Sequence, residues 1–170
     1  PELTEWSGAD TRIVYTPLHG SGNVPVREIL RRIGIKNISV VKEQEEPDGS
    51  FPTVKAPNPE DPNAFTLAFD LANKTGADLI LATDPDSDRL GVAVRGRDGR
   101  FPVLTGNQIG SILIHYILST RNEHRTLPGN GLVVRSIVST RMADAICAYY
   151  GVELREVLTG FRFISEQIAE

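Results

Sequence analysis

The stretch ATDPDSDRLGV, residues 82–92, places Asp84, Asp86 and Asp88 at alternate positions directly after the apolar run 79–82, with Arg89 next in line. Carboxylates gathered this closely repel one another, and one of them takes up a proton unless a cation offsets the charge. In a fully extended chain alternate α-carbons stand roughly 6.6 Å apart, too far for three side chains to close on one small ion. A shared ion therefore requires the loop to curl, and Pro85, with its fixed φ, together with Ser87 supplies turn-forming chemistry there. An all-carboxylate oxygen set selects a hard cation. Mg2+, which completes an octahedral shell with water or phosphate oxygens, suits a site with three protein ligands. The same residues also read as a solvated acidic loop, with the aspartates capping turns and Arg89 pairing with one of them.

Other uses of such a motif fit less well. An EF-hand loop starting at Asp84 requires glycine at its sixth position and glutamate at its twelfth, where this chain has Arg89 and Arg95. A haloacid-dehalogenase-type phosphatase would use Asp84 as nucleophile and Asp86 as acid. That family has Thr or Val where Asp88 stands and uses a downstream lysine, and no lysine follows Lys74. His19-Gly20-Ser21-Gly22 follows a strand pattern and precedes a helix pattern. It reads either as a tight turn and helix start or as the phosphate loop of a Rossmann-like dinucleotide-binding module, with Glu43 as the ribose-binding acid. Pro25 occupies the third glycine position of that fingerprint. A P-loop is excluded, because no Gly-Lys dipeptide occurs. His115 and His124 lack metal-ligand spacing, Cys147 sits in an apolar helical context, and Arg31 and Arg32 read as a solvated helix face.

The elements that must position the aspartates alternate in type. Residues 12–16 (RIVYT) read as a strand and 24–33 as a helix with apolar residues at helical spacing, closed by Gly34. Residues 38–41 form a second strand. A loop with five prolines spans 43–62, a helix covers 64–74 and ends at Gly76, and 78–82 form a third strand. This order predicts an α/β fold: a mostly parallel sheet with helices on both faces. Ligands in such sheets bind beyond the carboxyl ends of the strands, which is where the three aspartates fall. Residues 90–95 and 101–104, joined through Asp98-Gly99, form an appended hairpin. The longest helix pattern, 105–119, gathers Ile109, Ile112, Leu113, Tyr116 and Ile117 on one face. After a polar stretch, 132–135, 140–150 and 152–157 read as strand, helix and strand. They begin part of a second, similar α/β domain, dividing the chain into 1–104 and 105–170.

Composition sets the outer bounds. The chain has 170 residues, 40% of them hydrophobic, enough for a substantial core. Eighteen Lys and Arg against twenty-two Asp and Glu leave a net charge of −4, which argues against general nucleic-acid binding. The longest apolar runs fall far short of the roughly 18 residues of a membrane span, and no signal-peptide pattern opens the chain. One cysteine excludes an internal disulfide or a multi-cysteine zinc site. A cytoplasmic location is expected. The chain opens with Pro1 rather than Met and stops at Glu170 within a helical pattern, so a segment of a longer polypeptide is expected.

Residues 83–89, TDPDSDR, resemble the magnesium loop of the α-D-phosphohexomutases, in particular the phosphoglucomutase and phosphomannomutase members that carry DPDxDR. VYTPLHGSG (14–22) is similar to the first strand and loop of that family's second domain, PDGSFPTVKAPNPE (47–60) to its long loop, and LTGNQIG (104–110) to the start of its third. VRSIVST (134–140) and LTGFRFI (158–164) resemble third-domain segments, so the likeness covers nearly the whole chain.

The resemblance implies an enzyme of four domains that interconverts hexose 1-phosphate and hexose 6-phosphate through a bisphosphorylated intermediate and a phosphoserine. Here it implies Asp84, Asp86 and Asp88 as Mg2+ ligands and Arg89 as an active-site cation. It implies Thr159, Gly160, Phe161 and Arg162 as the loop that meets the sugar. Arg135 stands where many members place a substrate-contacting lysine, so the charge is kept while its geometry differs. Nothing in the chain resembles the family's serine motif, the glutamate-containing sugar loop of the third domain or the phosphate loop of the fourth. The implied partners are a phosphorylated hexose and the missing first and fourth domains, with no membrane and no nucleic acid. The polypeptide alone is expected to bind a divalent ion weakly and not to catalyse.

Overall fold

The computed structural model describes residues 10–169, so the expected helical setting of Glu170 lies outside the described residues. The chain forms two compact units, the first ending at Gly106 and the second beginning at Asn107.

The first unit is built on a five-stranded sheet of order β2-β1-β3-β4-β5, comprising β1 (Arg12–Thr16), β2 (Asn37–Val40), β3 (Leu79–Thr83), β4 (Leu90–Val94) and β5 (Val103–Leu104). β1 pairs in parallel with β2 and β3, whereas β4 pairs antiparallel with both β3 and β5. The expected mostly parallel sheet is thus parallel across its first three strands only. The reason lies in connection length: β3 reaches β4 through residues 84–89, far too short for the crossover that a parallel neighbour requires. The aspartate loop is therefore the turn of a β3–β4 hairpin.

Helices cover both faces, as the pattern predicted. Helix α1 (Asn23–Arg32) buries Leu30 with Ile13, Ile35 and the partly buried Leu79 and Leu81. Its C-terminus closes as the glycine implied. Gly34 adopts φ 95°, its N–H donates to Arg31 O, and the Ile35 N–H reaches Leu30 O at 3.0 Å. On the other face, a 3₁₀ turn (Pro62–Phe65) leads into α2 (Thr66–Thr75), whose buried Ala68 and Ala72 join Val14, Phe65, Ile80, Ala82 and Ala93. The alternation of Ile13 against Val14, and Leu79 against Ile80, is the period-2 pattern that sends successive side chains to opposite faces. Arg95 at the end of β4 donates to Ala77 O and Ala72 O, tying β4 to the C-terminal end of α2.

The second unit contains α3 (Gly106–Glu123), β6 (Leu132–Ser136), α4 (Met142–Tyr150), β7 (Glu153–Val157) and α5 (Phe161–Ala169). β6 and β7 pair in parallel, with Arg135 opposite Glu156. The apolar face read on α3 is largely exposed. Ile112, Leu113, Tyr116 and Ile117 are each about half exposed or more, and Leu118 is the residue that is buried. Leu118 and Ile114 line a cavity of about 470 Å³ with Leu127, Leu132, Val133 and Val152. On another side of α3 the His115 ring lies 5.7 Å from that of Tyr150. Among the described residues no helix is long and apolar enough to cross a membrane.

Gly91 shows how tightly the sheet meets the Pro-rich loop. A Cβ there would lie 2.2 Å from Pro59 O and 2.8 Å from Phe65 Cζ. Gly91→Ala should lower the unfolding free energy by about 1–3 kcal/mol in a denaturant titration, as overpacking does. Gly49→Ala, in open space, should lower it by less than about 0.5 kcal/mol.

A candidate metal centre at the β3–β4 turn

The turn that closes the β3–β4 hairpin is fixed before any ion is considered. Thr83 pairs with Leu90 as the last rung of the ladder. Beyond it the Ser87 N–H donates to Asp84 O at 3.0 Å, and Ser87 takes a left-handed φ of 63°. Pro85 sits at the second position of this turn, where its ring pre-sets the backbone. The extended spacing that would keep the carboxylates apart is thereby abolished. One ligand oxygen from each of Asp84, Asp86 and Asp88 lies within 4.8 Å of the others.

The three carboxylates differ in environment. Asp84 is 1% exposed. Its Oδ1 accepts from the Arg89 N–H at 3.0 Å and its Oδ2 from Arg89 Nε at 2.8 Å. Burial works to raise its pKa, and the hydrogen bonds and charge of Arg89 outweigh that, holding it below the ordinary aspartate value. Asp86 and Asp88 are exposed. The negative charge of Asp86, then burial and Asp84, push the Asp88 pKa up. Arg89 lies 3.7 Å from an Asp88 oxygen and also donates to Asn58 Oδ1 at 3.3 Å.

These residues fit a magnesium ion on their own chemistry. All three offer hard, anionic oxygens, and the repulsion on Asp88 is the signature of a cluster short of positive charge. Opposite ligands of magnesium stand about 4.2 Å apart, twice the metal–oxygen distance, and oxygens within 4.8 Å of one another reach that spacing by side-chain movement. Asp86 and Asp88, being exposed, are free to supply that movement.

The glycine loop before α1 belongs to this centre, a role its sequence did not disclose. A Cβ on Gly20 would lie 2.3 Å from Pro85 Cα, and one on Gly22 would lie 2.6 Å from Thr83 Oγ1 and 2.7 Å from Ser87 Oγ. Atoms of the aspartate loop thus pack directly against the backbone of both glycines. This packing favours the reading of Gly20 and Gly22 as a tight turn and helix start, and Glu43 falls in a single 3₁₀ turn (Lys42–Gln44). The glycines themselves were the available signal, since each marks a close backbone approach. His19 is buried and bonded through Nε2 to Thr53 Oγ1 at 2.8 Å. Asn58, in the Pro-rich loop, is a second contributor that spacing alone did not reveal.

The remaining candidates lie in the second unit. Thr159 and Gly160 join β7 to α5, and Phe161 and Arg162 open that helix; all four are exposed. Arg162 pairs with Glu166 at 3.3 Å and stands over the Phe163 ring. Arg135, near the carboxyl end of β6, is buried. Its Nε and Nη2 grip both oxygens of Asp144, and Nη1 meets Glu156 at 2.6 Å.

Comparison with known proteins matches residues 2–99 to the phosphoglucomutase/phosphomannomutase alpha/beta/alpha domain II and residues 105–170 to domain III of the same family. A phosphoglucomutase of Staphylococcus aureus (strain MRSA252) is 40% identical over 162 residues, covering 95% of this chain and 29% of that protein. A phosphoglucomutase/phosphomannomutase family protein of Burkholderia thailandensis superposes with a TM-score of 0.71 at 22% identity, over 94% of this chain and 31% of that one. An Aspergillus fumigatus N-acetylphosphoglucosamine mutase does so with a TM-score of 0.60 at 14% identity, over 93% and 30%. The chain spans less than a third of the length of the curated relatives it matches.

The Asp144 carboxyl is held below its ordinary pKa, chiefly by the hydrogen bond from Arg135. A depressed carboxylate contributes stability that is present above the unfolded pKa and is lost as pH falls through the folded one. Asp144→Asn should therefore be less stable than wild type at neutral pH. That deficit should shrink once pH drops below about 3.9, as read by thermal unfolding across a pH series.

Proposed function

This chain belongs to the phosphoglucomutase/phosphomannomutase family, and from that premise we propose that it carries the magnesium loop and part of the sugar site of a hexose-phosphate mutase. The reaction is the interconversion of hexose 1-phosphate and hexose 6-phosphate through a bisphosphorylated intermediate and a phosphoserine. The convergence of Asp84, Asp86 and Asp88 at the carboxyl end of β3 carries this reading.

In this reading the three aspartates hold Mg2+, which when bound offsets the charge of a phosphoryl group in transfer. Arg89 is fixed by Asp84 and Asn58, yet its side chain remains 52% exposed, so its outer edge is free to meet a phosphate or phosphoserine oxygen. A planar guanidinium held on two sides presents its remaining N–H groups in one direction, which favours transfer over mere binding. Thr159, Gly160, Phe161 and Arg162 form the exposed loop and helix start that contact the sugar. Arg135 reaches a substrate oxygen by exchanging its exposed partner Glu156 for it, while Asp144 keeps the guanidinium oriented.

The serine nucleophile and the principal phosphate loop belong to the missing first and fourth domains, and the enzyme works in the cytoplasm. The short share of each relative that this chain spans supports that division. So does the exposed apolar face of α3, which is the kind of surface that another domain covers.

Calorimetric titration of the 170-residue protein with MgCl2 should show saturable binding, with a dissociation constant of roughly 10⁻⁴–10⁻³ M for a site this open. Asp86→Asn should weaken it at least tenfold, and no hexose 6-phosphate should form from hexose 1-phosphate with this polypeptide alone. Equal binding by wild type and Asp86→Asn would remove the metal site, and turnover by the isolated chain would contradict the division of labour.

A further inference from the structure

Two consecutive non-glycine residues, Leu18 with φ 45° and His19 with φ 62°, take left-handed backbone just before the Gly20-Ser21-Gly22 loop. Such a pair persists only where the surroundings over-determine it, and strain of this kind concentrates where a structure must aim something. The surroundings here do over-determine it. Leu18 is fully buried in the core, and its N–H donates to Thr16 Oγ1 at 3.1 Å. The His19 N–H donates to Gln44 O, and the Asp48 N–H donates to His19 O. The Gln44 side chain accepts from Thr16 Oγ1 at 2.6 Å and donates to Thr53 Oγ1 at 3.0 Å, and Thr53 Oγ1 in turn bonds His19 Nε2.

None of these bonds touches a carboxylate. The strained turn delivers Gly20 and Ser21 to Pro85, the residue between Asp84 and Asp86. Gly20 lies flush against the Pro85 backbone, where no side chain could fit. Pro85 has no N–H, so its carbonyl is its only backbone hydrogen-bonding handle. Both donors on that carbonyl come from one residue: the Ser21 N–H at 2.8 Å and the Ser21 Oγ at 3.0 Å.

We propose that the turn from Pro17 to Gly22 is a template that sets the spacing of the three carboxylates, with Ser21 as a positioning residue acting through the Pro85 carbonyl. This rests on the metal reading given above. Held by two donors, the loop keeps like charges together against their own repulsion, so an arriving ion does not have to gather them. With only the N–H left, the carboxylates spread and the ion must restore the geometry. Magnesium and manganese tolerate that poorly, because they demand near-octahedral spacing, whereas calcium accepts irregular sites with longer bonds.

The test is a Mn2+ titration of the 170-residue protein followed by loss of the aquo-ion electron paramagnetic resonance signal, with Mg2+ and Ca2+ as competitors. Ser21→Ala should weaken Mn2+ binding about 3- to 10-fold, the size expected from one hydrogen bond. It should also shift the Mg2+/Ca2+ preference toward Ca2+, with the metal-free unfolding midpoint unchanged because Ser21 is exposed. Ser21→Thr, which keeps the hydroxyl, should bind like wild type. Gly20→Ala should weaken binding about 10- to 100-fold; if that variant does not fold, the two Ser21 variants decide. Wild-type affinity in Ser21→Ala would overturn the template and leave the metal reading standing, as would a weakening matched by lost stability with the Mg2+/Ca2+ preference unchanged. If wild type and Asp86→Asn both leave the Mn2+ signal untouched, the metal reading fails and the template falls with it.

Discussion

Three carboxylates held against their mutual repulsion are the constraint around which the first unit is organised. Left to itself, the Asp84–Asp88 segment lowers its energy by extending and letting solvent screen each charge. It is instead bent back by a hairpin ladder that continues to Thr83, by the hydrogen bond from Ser87 to Asp84, and by the guanidinium and N–H of Arg89 on a buried carboxylate. Each of these favours the curl, and Arg89, 3.7 Å from an Asp88 oxygen, offsets the charge of the exposed pair only in part. The cluster is thus charged, open on one side and short of positive charge, which is the condition in which a divalent ion binds with most effect.

The surrounding elements serve that bend. β3 is the central strand, paired on both sides, so its carboxyl end cannot drift. The Pro-rich loop packs Pro59 against Gly91 immediately beyond the turn and presents Asn58 to Arg89. The glycine loop packs against the turn from the side of β1, and Tyr15 beneath it hydrogen-bonds Thr83 at 2.8 Å in the buried interior. Parts of the chain separated by tens of residues thereby converge on residues 84–89. That convergence explains why small residues occupy Gly20, Gly22 and Gly91, where any side chain would separate the layers.

Much of this was legible in sequence because local chemistry determined it. Strand and helix periods located β1, α1, α2 and β3 within one or two residues, and Gly34 and Gly76 end their helices with positive φ because only glycine does so without strain. What was hidden depends on pairing across distance. The antiparallel match of β4 to β3 cannot be read from alternation alone, since either neighbour buries the same faces. The role of Gly20 and Gly22 is set by Pro85, Thr83 and Ser87, more than sixty residues away in sequence. The apolar stripe of α3 was read correctly as apolar; which side becomes buried depends on how many strands stand beside it, and the sequence of the helix does not encode that number. Arg135 is a further case. Its type and place on β6 were evident, but its grip on Asp144 and Glu156 arises from the parallel register and from α4.

The most direct measurement is the anomalous difference map of crystals grown with Mn2+. One peak is expected, within about 2.2 Å of an oxygen from each of Asp84, Asp86 and Asp88, with Arg89 still bonded to Asp84. Carboxylates splayed into solvent with no peak between them, or a peak bound by other residues, would contradict the claim that this turn exists to gather charge around a metal ion.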